Sequence, residues 1–220
     1  MAYVSTDLVA AEGTPEDARL RAQGMVPLGA AVWTGSGRLA ESGIIAIVHA
    51  ASGAMGRTGA GYDPTRESVT ESIGNALRLT AGHGLGRLAL PFIGGGIFAS
   101  RIRPPIEKAE LARLIVDSCS AHRGDIRAVL VAFGEADRDL FEKTLAAAPD
   151  PGIEVGEGSL TDFGVHTAPV IANAANMEVV FGGGISGVIG EATGDPAAIE
   201  AEAARAVAAF WAANPVGEGS

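Results

Sequence analysis

The sequence predicts an α/β protein in which helices pack on a sheet, an α/β or α/β/α sandwich. Short β-rich runs alternate along the chain with longer helical patterns, the order that layered α/β folds require. Several of the short runs are apolar without a break, as in Ile44-Ile45-Ala46-Ile47-Val48, and strands of that kind are buried on both faces. Composition agrees. Hydrophobic residues make up 47% of the chain and charged ones 19%, while aromatics are only 5% and glycines number 31. That balance suits closely packed helices with sharp turns at their ends.

Taken in order, a weak helical pattern near 15–23 precedes a strand near Gly29–Trp33 and a second at Ile44–His49. A helix over 65–82 leads to the strand Arg87–Phe92, and a helix over 105–121 to the strand Ala128–Phe133. A helix at 137–147 is followed by strands near Ile153–Val155 and Pro169–Ala172. Helices at 186–193 and 196–213 close the pattern. The last begins with Asp195-Pro196, an N-cap followed by proline at the first helical position, with Glu200 and Glu202 near its positive end. Its apolar residues Ile199, Ala203, Val207 and Phe210 return every three or four positions.

Ala146–Gly152 reads as a linker. Residues 151–220 nevertheless hold too few elements to bury a core alone, so a single domain over 25–213 is expected. Residues 1–24 form an N-terminal segment and 214–220 a tail, both expected to be frayed or loosely packed.

The formal net charge is −10, and Lys108 and Lys143 are the two lysines among 220 residues. No cluster of Lys and Arg offers a face for nucleic acid, so an anionic ligand must be held mainly by backbone N–H groups and helix ends. The single cysteine, Cys119, excludes an intrachain disulfide and reads as a small buried hydrophobe. The start carries no basic region before an apolar one, and no run approaches the ~18 apolar residues of a membrane span. A cytoplasmic protein without membrane contact, metal or cofactor is expected.

Two loops share the letters GGGI: Gly94-Gly95-Gly96-Ile97, followed by Phe98, and Gly182-Gly183-Gly184-Ile185, followed by Ser186. Each follows an apolar run and precedes a helical one. Glycines at such a junction let the backbone approach an anion, and the helix N-terminus adds partial positive charge. The second loop formally satisfies G-x-G-x-x-G, but a dinucleotide fold needs a further strand with an acidic end ~20 positions on. After Gly187 one further helix follows, so the oxidoreductase reading rests on the motif alone.

The segment Asn173-Ala174-Ala175-Asn176 through Gly182-Gly183-Gly184-Ile185-Ser186 resembles the macrodomain signature. Gly158-Ser159-Leu160-Thr161 is similar to that family's Gly-Asp-Ile-Thr, and Leu90–Phe98 to its second phosphate loop. Ala128–Phe141 resembles its last strand and helix, and Ile45–His49 its middle strand. The two halves stand in reversed order, so the resemblance is to a circularly permuted member, covering roughly 25–213. It implies a three-layer α/β/α sandwich with a mixed central sheet, the terminal regions meeting on one surface.

The resemblance also implies a ligand: ADP-ribose, free or carried on a modified macromolecule. Gly94, Gly95, Gly96 and Ile97 would cradle the diphosphate. Gly182, Gly183, Gly184 and Ile185 would hold the phosphate and distal ribose, with Phe98 packed on that ribose. Phe133 would flank the adenine, with Ser159 and Leu160 nearby. Asn173 and Asn176 end the strand, and Asn176 would bond the ribose hydroxyls and act in any hydrolysis. Two positions depart from the pattern. Ser159 replaces an adenine-binding aspartate, for which Asp162 is a nearby substitute, and Ser186 replaces the aspartate of one hydrolase branch. Neither lysine is expected beside the loops, and Glu191 reads as an exposed helix residue. His49 reads as a satisfied core histidine, and His83, His122 and His166 as loop positions. An ADP-ribose reader and an ADP-ribosyl hydrolase both remain open at this point.

Overall fold

A computed structural model of the protein describes residues 14–55, 62–95, 102 and 105–215. Within them lies a mixed seven-stranded sheet between two layers of helices. The strands are β1 (Ala31–Gly35), β2 (Ala46–Met55), β3 (Tyr62–Pro64), β4 (Arg87–Pro91), β5 (Arg127–Ala132), β6 (Ile153–Glu157) and β7 (Val170–Asn176). Their order in the sheet is β1-β2-β7-β4-β5-β6, with β3 also on β2. β1 and β3 pair antiparallel to β2, whereas β2, β7, β4, β5 and β6 are mutually parallel.

The apolar strands alternate between two cores, as period-two geometry demands. Val48, Leu88, Leu90, Leu130, Val170 and Ala172 face one side. There they meet α2 (Arg66–Gly82), α3 (Lys108–His122) and α4 (Glu135–Ala147), through Ile73, Leu77, Leu111, Ile115 and Phe141. Ile47, Ala89, Val129, Val131 and Ile171 face the other, against α5 (Phe163–His166), α6 (Ile185–Ala192) and α7 (Pro196–Ala213). Burial on both faces explains the unbroken apolar runs.

Local chemistry sets the helix ends. Thr65 and Ser68 form a capping box that starts α2, with Oγ1 of Thr65 accepting from Ser68 N at 3.0 Å and Ser68 Oγ from Thr65 N at 2.9 Å. Asp195 Oδ1 accepts from Ala198 N at 3.0 Å at the start of α7, with Pro196 behind it. α3 starts three residues later than the sequence predicts and α4 two residues earlier, next to Gly134 with Glu135 and Asp137 in its first turn. β3, α5 and a 3₁₀ turn over Gly37–Ser42 are elements the sequence pattern does not reveal.

The terminal regions meet. Of residues 1–24 the structure describes 14–24, which hold α1 (Pro15–Ala22). Leu20 of α1 is buried with Val26, Ala203, Val207, Phe210 and Trp211. Trp211 Nε1 donates to the Met25 carbonyl at 2.7 Å. No helix among the described residues is long and apolar enough to cross a membrane.

Candidate functional site

β7, β4, β5 and β6 are adjacent and parallel, so their C-terminal ends share one edge of the sheet. That edge carries Asn176, the β4 loop with Gly94 and Gly95, then Phe133, then Ser159. β7 and β4 pair only at Leu88–Val170 and Ala89–Ile171. Beyond that rung β7 continues along β2 to Asn176 and β4 along β5 to Pro91. The helices that follow them, α6 and α3, lie on opposite faces. Two neighbouring parallel strands whose connections leave to opposite sides open a crevice at their carboxyl ends, the usual ligand position in open α/β sheets.

The turn after β7 is tightly held. Asn176 accepts twice, through its carbonyl from Val179 N at 3.2 Å and through Oδ1 from Val180 N at 3.3 Å. Between them Val179 is buried with φ 57, a conformation a β-branched residue adopts only when its surroundings enforce it. Phe181 N donates to Glu200 Oε1 at 2.8 Å, and Gly182 N to Ser186 Oγ at 3.3 Å. The next three N–H groups, those of Gly183, Gly184 and Ile185, have no partner among the described residues. They sit at the N-terminus of α6, where Gly184 takes φ 64 and ψ −140, a conformation open essentially to glycine. Gly182, Gly183 and Gly184 are exposed, and a side chain at any of them would meet nothing within 4 Å. Successive backbone N–H groups at a helix N-terminus have the geometry of an anion nest. Ser186 is buried and spends its hydroxyl on the loop.

Beneath this loop runs a buried polar chain. The Thr34 hydroxyl donates to the Gly35 carbonyl at 2.9 Å, and Oγ1 lies 2.9 Å from His49 Nε2. His49 Nδ1 is 3.2 Å from Asn173 Nδ2. All three side chains are buried, and burial depresses the His49 pKa to about 3. His49 is thus the satisfied core histidine that the sequence suggests. Its ring centroid lies 5.6 Å from that of Phe181, immediately before the glycines.

In the β4 loop, Gly94 takes φ 75, and a Cβ on Gly95 would come within 2.6 Å of the Phe92 ring. Gly96, Ile97 and Phe98 lie outside the described residues. Phe92 packs on Phe141, with centroids 4.6 Å apart. Lys108 Nζ stands 5.3 Å from the Phe92 ring centroid and pairs with Asp137. Lys108, the first residue of α3, therefore stands near the base of this loop, where the sequence reading expects no lysine.

Phe133 is 87% exposed. A core role is excluded, and the ring is left in water at the C-terminal end of a buried strand. Ser159 Oγ lies 2.8 Å from Thr161 Oγ1 and accepts from Thr161 N at 3.2 Å. Leu160 points into the core. Asp162 caps α5, accepting from Gly164 N at 2.9 Å, so its carboxylate is engaged locally. His166 is not a loop residue. It lies buried in α5, where Nε2 meets the Leu160 carbonyl at 2.9 Å and Nδ1 accepts from Ala168 N at 3.0 Å. His83 caps α2 and stacks on Trp33 at 3.8 Å, while His122 ends α3. Glu191 is exposed.

Sequence reasoning missed the roles of Glu200 and Thr34. Glu200 reads locally as a helix-dipole residue, and its partner lies 19 positions away. Nothing in the sequence links Thr34 to His49. No group of three or more His, Cys, Asp or Glu able to hold a metal ion occurs among the described residues. No protein-family model matches this chain, and no curated protein matches it.

Proposed function

We propose that the chain is a circularly permuted macrodomain that binds ADP-ribose, free or attached to a modified macromolecule, in the crevice between β7 and β4. The observation that carries this reading is the run of N–H groups at Gly183, Gly184 and Ile185 without a partner among the described residues, on the same sheet edge as the exposed Phe133. Backbone donors suit a diphosphate in a chain of net charge −10, and an exposed aromatic suits a base. The reversed motif order supports permutation, because Asn176 and Gly94–Gly95 end up on neighbouring strands despite their separation in sequence.

Binding is favoured over hydrolysis by Ser186, whose hydroxyl braces Gly182 N, and by Asn176, whose Oδ1 braces Val180 N. Neither is a carboxylate able to activate water at neutral pH. Titration calorimetry with ADP-ribose should give micromolar binding, on the order of −8 kcal/mol. Gly183→Glu should abolish it without unfolding the protein, because the added side chain enters open space yet brings negative charge to the nest. Undiminished binding by that variant rejects the site. Release of ADP-ribose from a modified protein by the parent would replace the reader with a hydrolase.

A further inference from the structure

The Thr34 hydroxyl sets the direction of the buried polar chain. Thr34 has one hydroxyl hydrogen, given to the Gly35 carbonyl. Toward His49 Nε2 it therefore accepts, so Nε2 carries the imidazole proton. A ring so buried stays neutral, which leaves Nδ1 bare. The group of Asn173 that meets Nδ1 must then be its NH₂, and Oδ1 faces the other way. There it is buried with no partner among the described residues, a condition folded proteins seldom keep without a use.

Its position suggests the use. Asn173 stands two residues beyond the last rung between β7 and β4, where the strands part. It shares the sheet face of Ile171 and α6, and its partner His49 packs near Phe181, which leads into the glycine loop.

We propose that Asn173 Oδ1 is the acceptor for a ligand hydroxyl in the floor of this crevice, and that Thr34 and His49 are positioning residues that keep oxygen rather than nitrogen turned toward it. This rests on the ADP-ribose reading. Diphosphate oxygens only accept and are matched by the loop N–H groups, whereas the distal ribose supplies hydroxyl donors. Thr34 and His49 touch no ligand in this scheme. They set the polarity of a group that does.

Two measurements on the full chain test it. ¹⁵N NMR of the ligand-free parent at neutral pH should report His49 as the neutral Nε2–H tautomer. Thr34→Val should shift the ring toward Nδ1–H, and Thr34→Ser should not. In calorimetry, Thr34→Val should weaken ADP-ribose binding by about tenfold and leave unchanged the binding of ADP, which lacks the distal ribose. Thr34→Ser should restore the parent affinity. Asn173→Ala, which removes the oxygen together with the NH₂ that meets His49 Nδ1 but leaves the Thr34–His49 contact in place, carries the same expectation for both ligands should Thr34→Val fold poorly. A charged or Nδ1-protonated His49 in the parent overturns the positioning chain even if ADP-ribose binds. Equal loss for ADP and ADP-ribose overturns it as well, since that marks general damage. A parent with the expected tautomer that binds no ADP-ribose overturns the functional reading itself, and the hydroxyl assignment with it.

Discussion

Phe133 and His49 mark the two extremes of environment at this edge. Phe133 lies almost wholly in water, so Phe133→Ala removes no packing and should change stability by less than about 0.5 kcal/mol. If the ring stacks on a base, worth ~1–3 kcal/mol, the same variant should weaken ADP-ribose about tenfold yet leave ribose 5-phosphate unaffected. Equal affinities for parent and variant would remove Phe133 from the site. His49 is the opposite case. Its folded pKa, about 3, lies below the ordinary value of 6.5, so between those values the unfolded chain binds the extra proton. Stability must then fall as pH drops below 6.5. Acidification from pH 7 to 5 should cost about 2 kcal/mol through this group alone. Chemical denaturation of His49→Gln at the two pH values should show a shallower loss; a parallel loss would mean His49 is not the group responsible.

Among the elements, α7 does more than cover the sheet. Glu200 reaches from it to Phe181 N, and Glu202 reaches Gly35 N at 3.0 Å at the end of β1. With the N–H groups of Phe181 and Gly182 engaged, the donors without a partner among the described residues begin at Gly183. Glu200→Ala should therefore slacken the loop and weaken ADP-ribose by three- to tenfold. Glu200→Gln keeps an acceptor and removes a charge near the anion, so it should bind at least as well as the parent. A Gln variant as weak as Ala would show that charge, not the bond, matters. The elements also differ in how well the sequence displays them. The helices α2 and α7 and the strands β4 and β5 were legible because their caps and apolar periods are local. Asn173–Asn176 fell outside the predicted strand, since its partner past Ile171 is β2 alone and its polar residues carry no apolar signal. α5 is four residues between the Asp162 cap and Thr167 at φ 49, too short to show a period. The strand-to-helix junction at Gly182–Gly184 was legible by type and spacing. The Thr34–His49–Asn173 chain was not, because its members meet only through β1, β2 and β7.

Across the whole molecule, strand order and chain order disagree in one informative place. The adjacent parallel strands β7 and β4 each lead into one glycine loop although they are far apart in the chain, and the terminal regions meet where Leu20 and Trp211 share a core. If the fold is a permuted form of a common one, it should tolerate the reverse operation. The natural place to open it is between Ala148 and Pro149, after α4. Opening there spares the turn that follows, in which Asp150 Oδ1 accepts from Gly152 N at 2.8 Å and Arg123 Nε donates to Asp150 Oδ2 at 3.0 Å. The new first strand, β6, stays tied to the sheet by its ladder with β5 and by Glu154, which pairs with both Arg87 and Arg127. A flexible Gly/Ser linker joining Ser220 to Met1 closes the other end, where residues 14–25 already contact α7. Every hydrogen bond and core contact named here survives the rearrangement, and only loop-closure entropy changes, which varies slowly with loop length. The rearranged protein should melt in one cooperative transition and bind ADP-ribose within about threefold of the parent, since stability and site both reside in unaltered contacts. Failure to fold, with the Gly/Ser insertion alone harmless in the parent order, would show that the α4–β6 connection is integral to this fold and that permutation is the wrong account of its motif order.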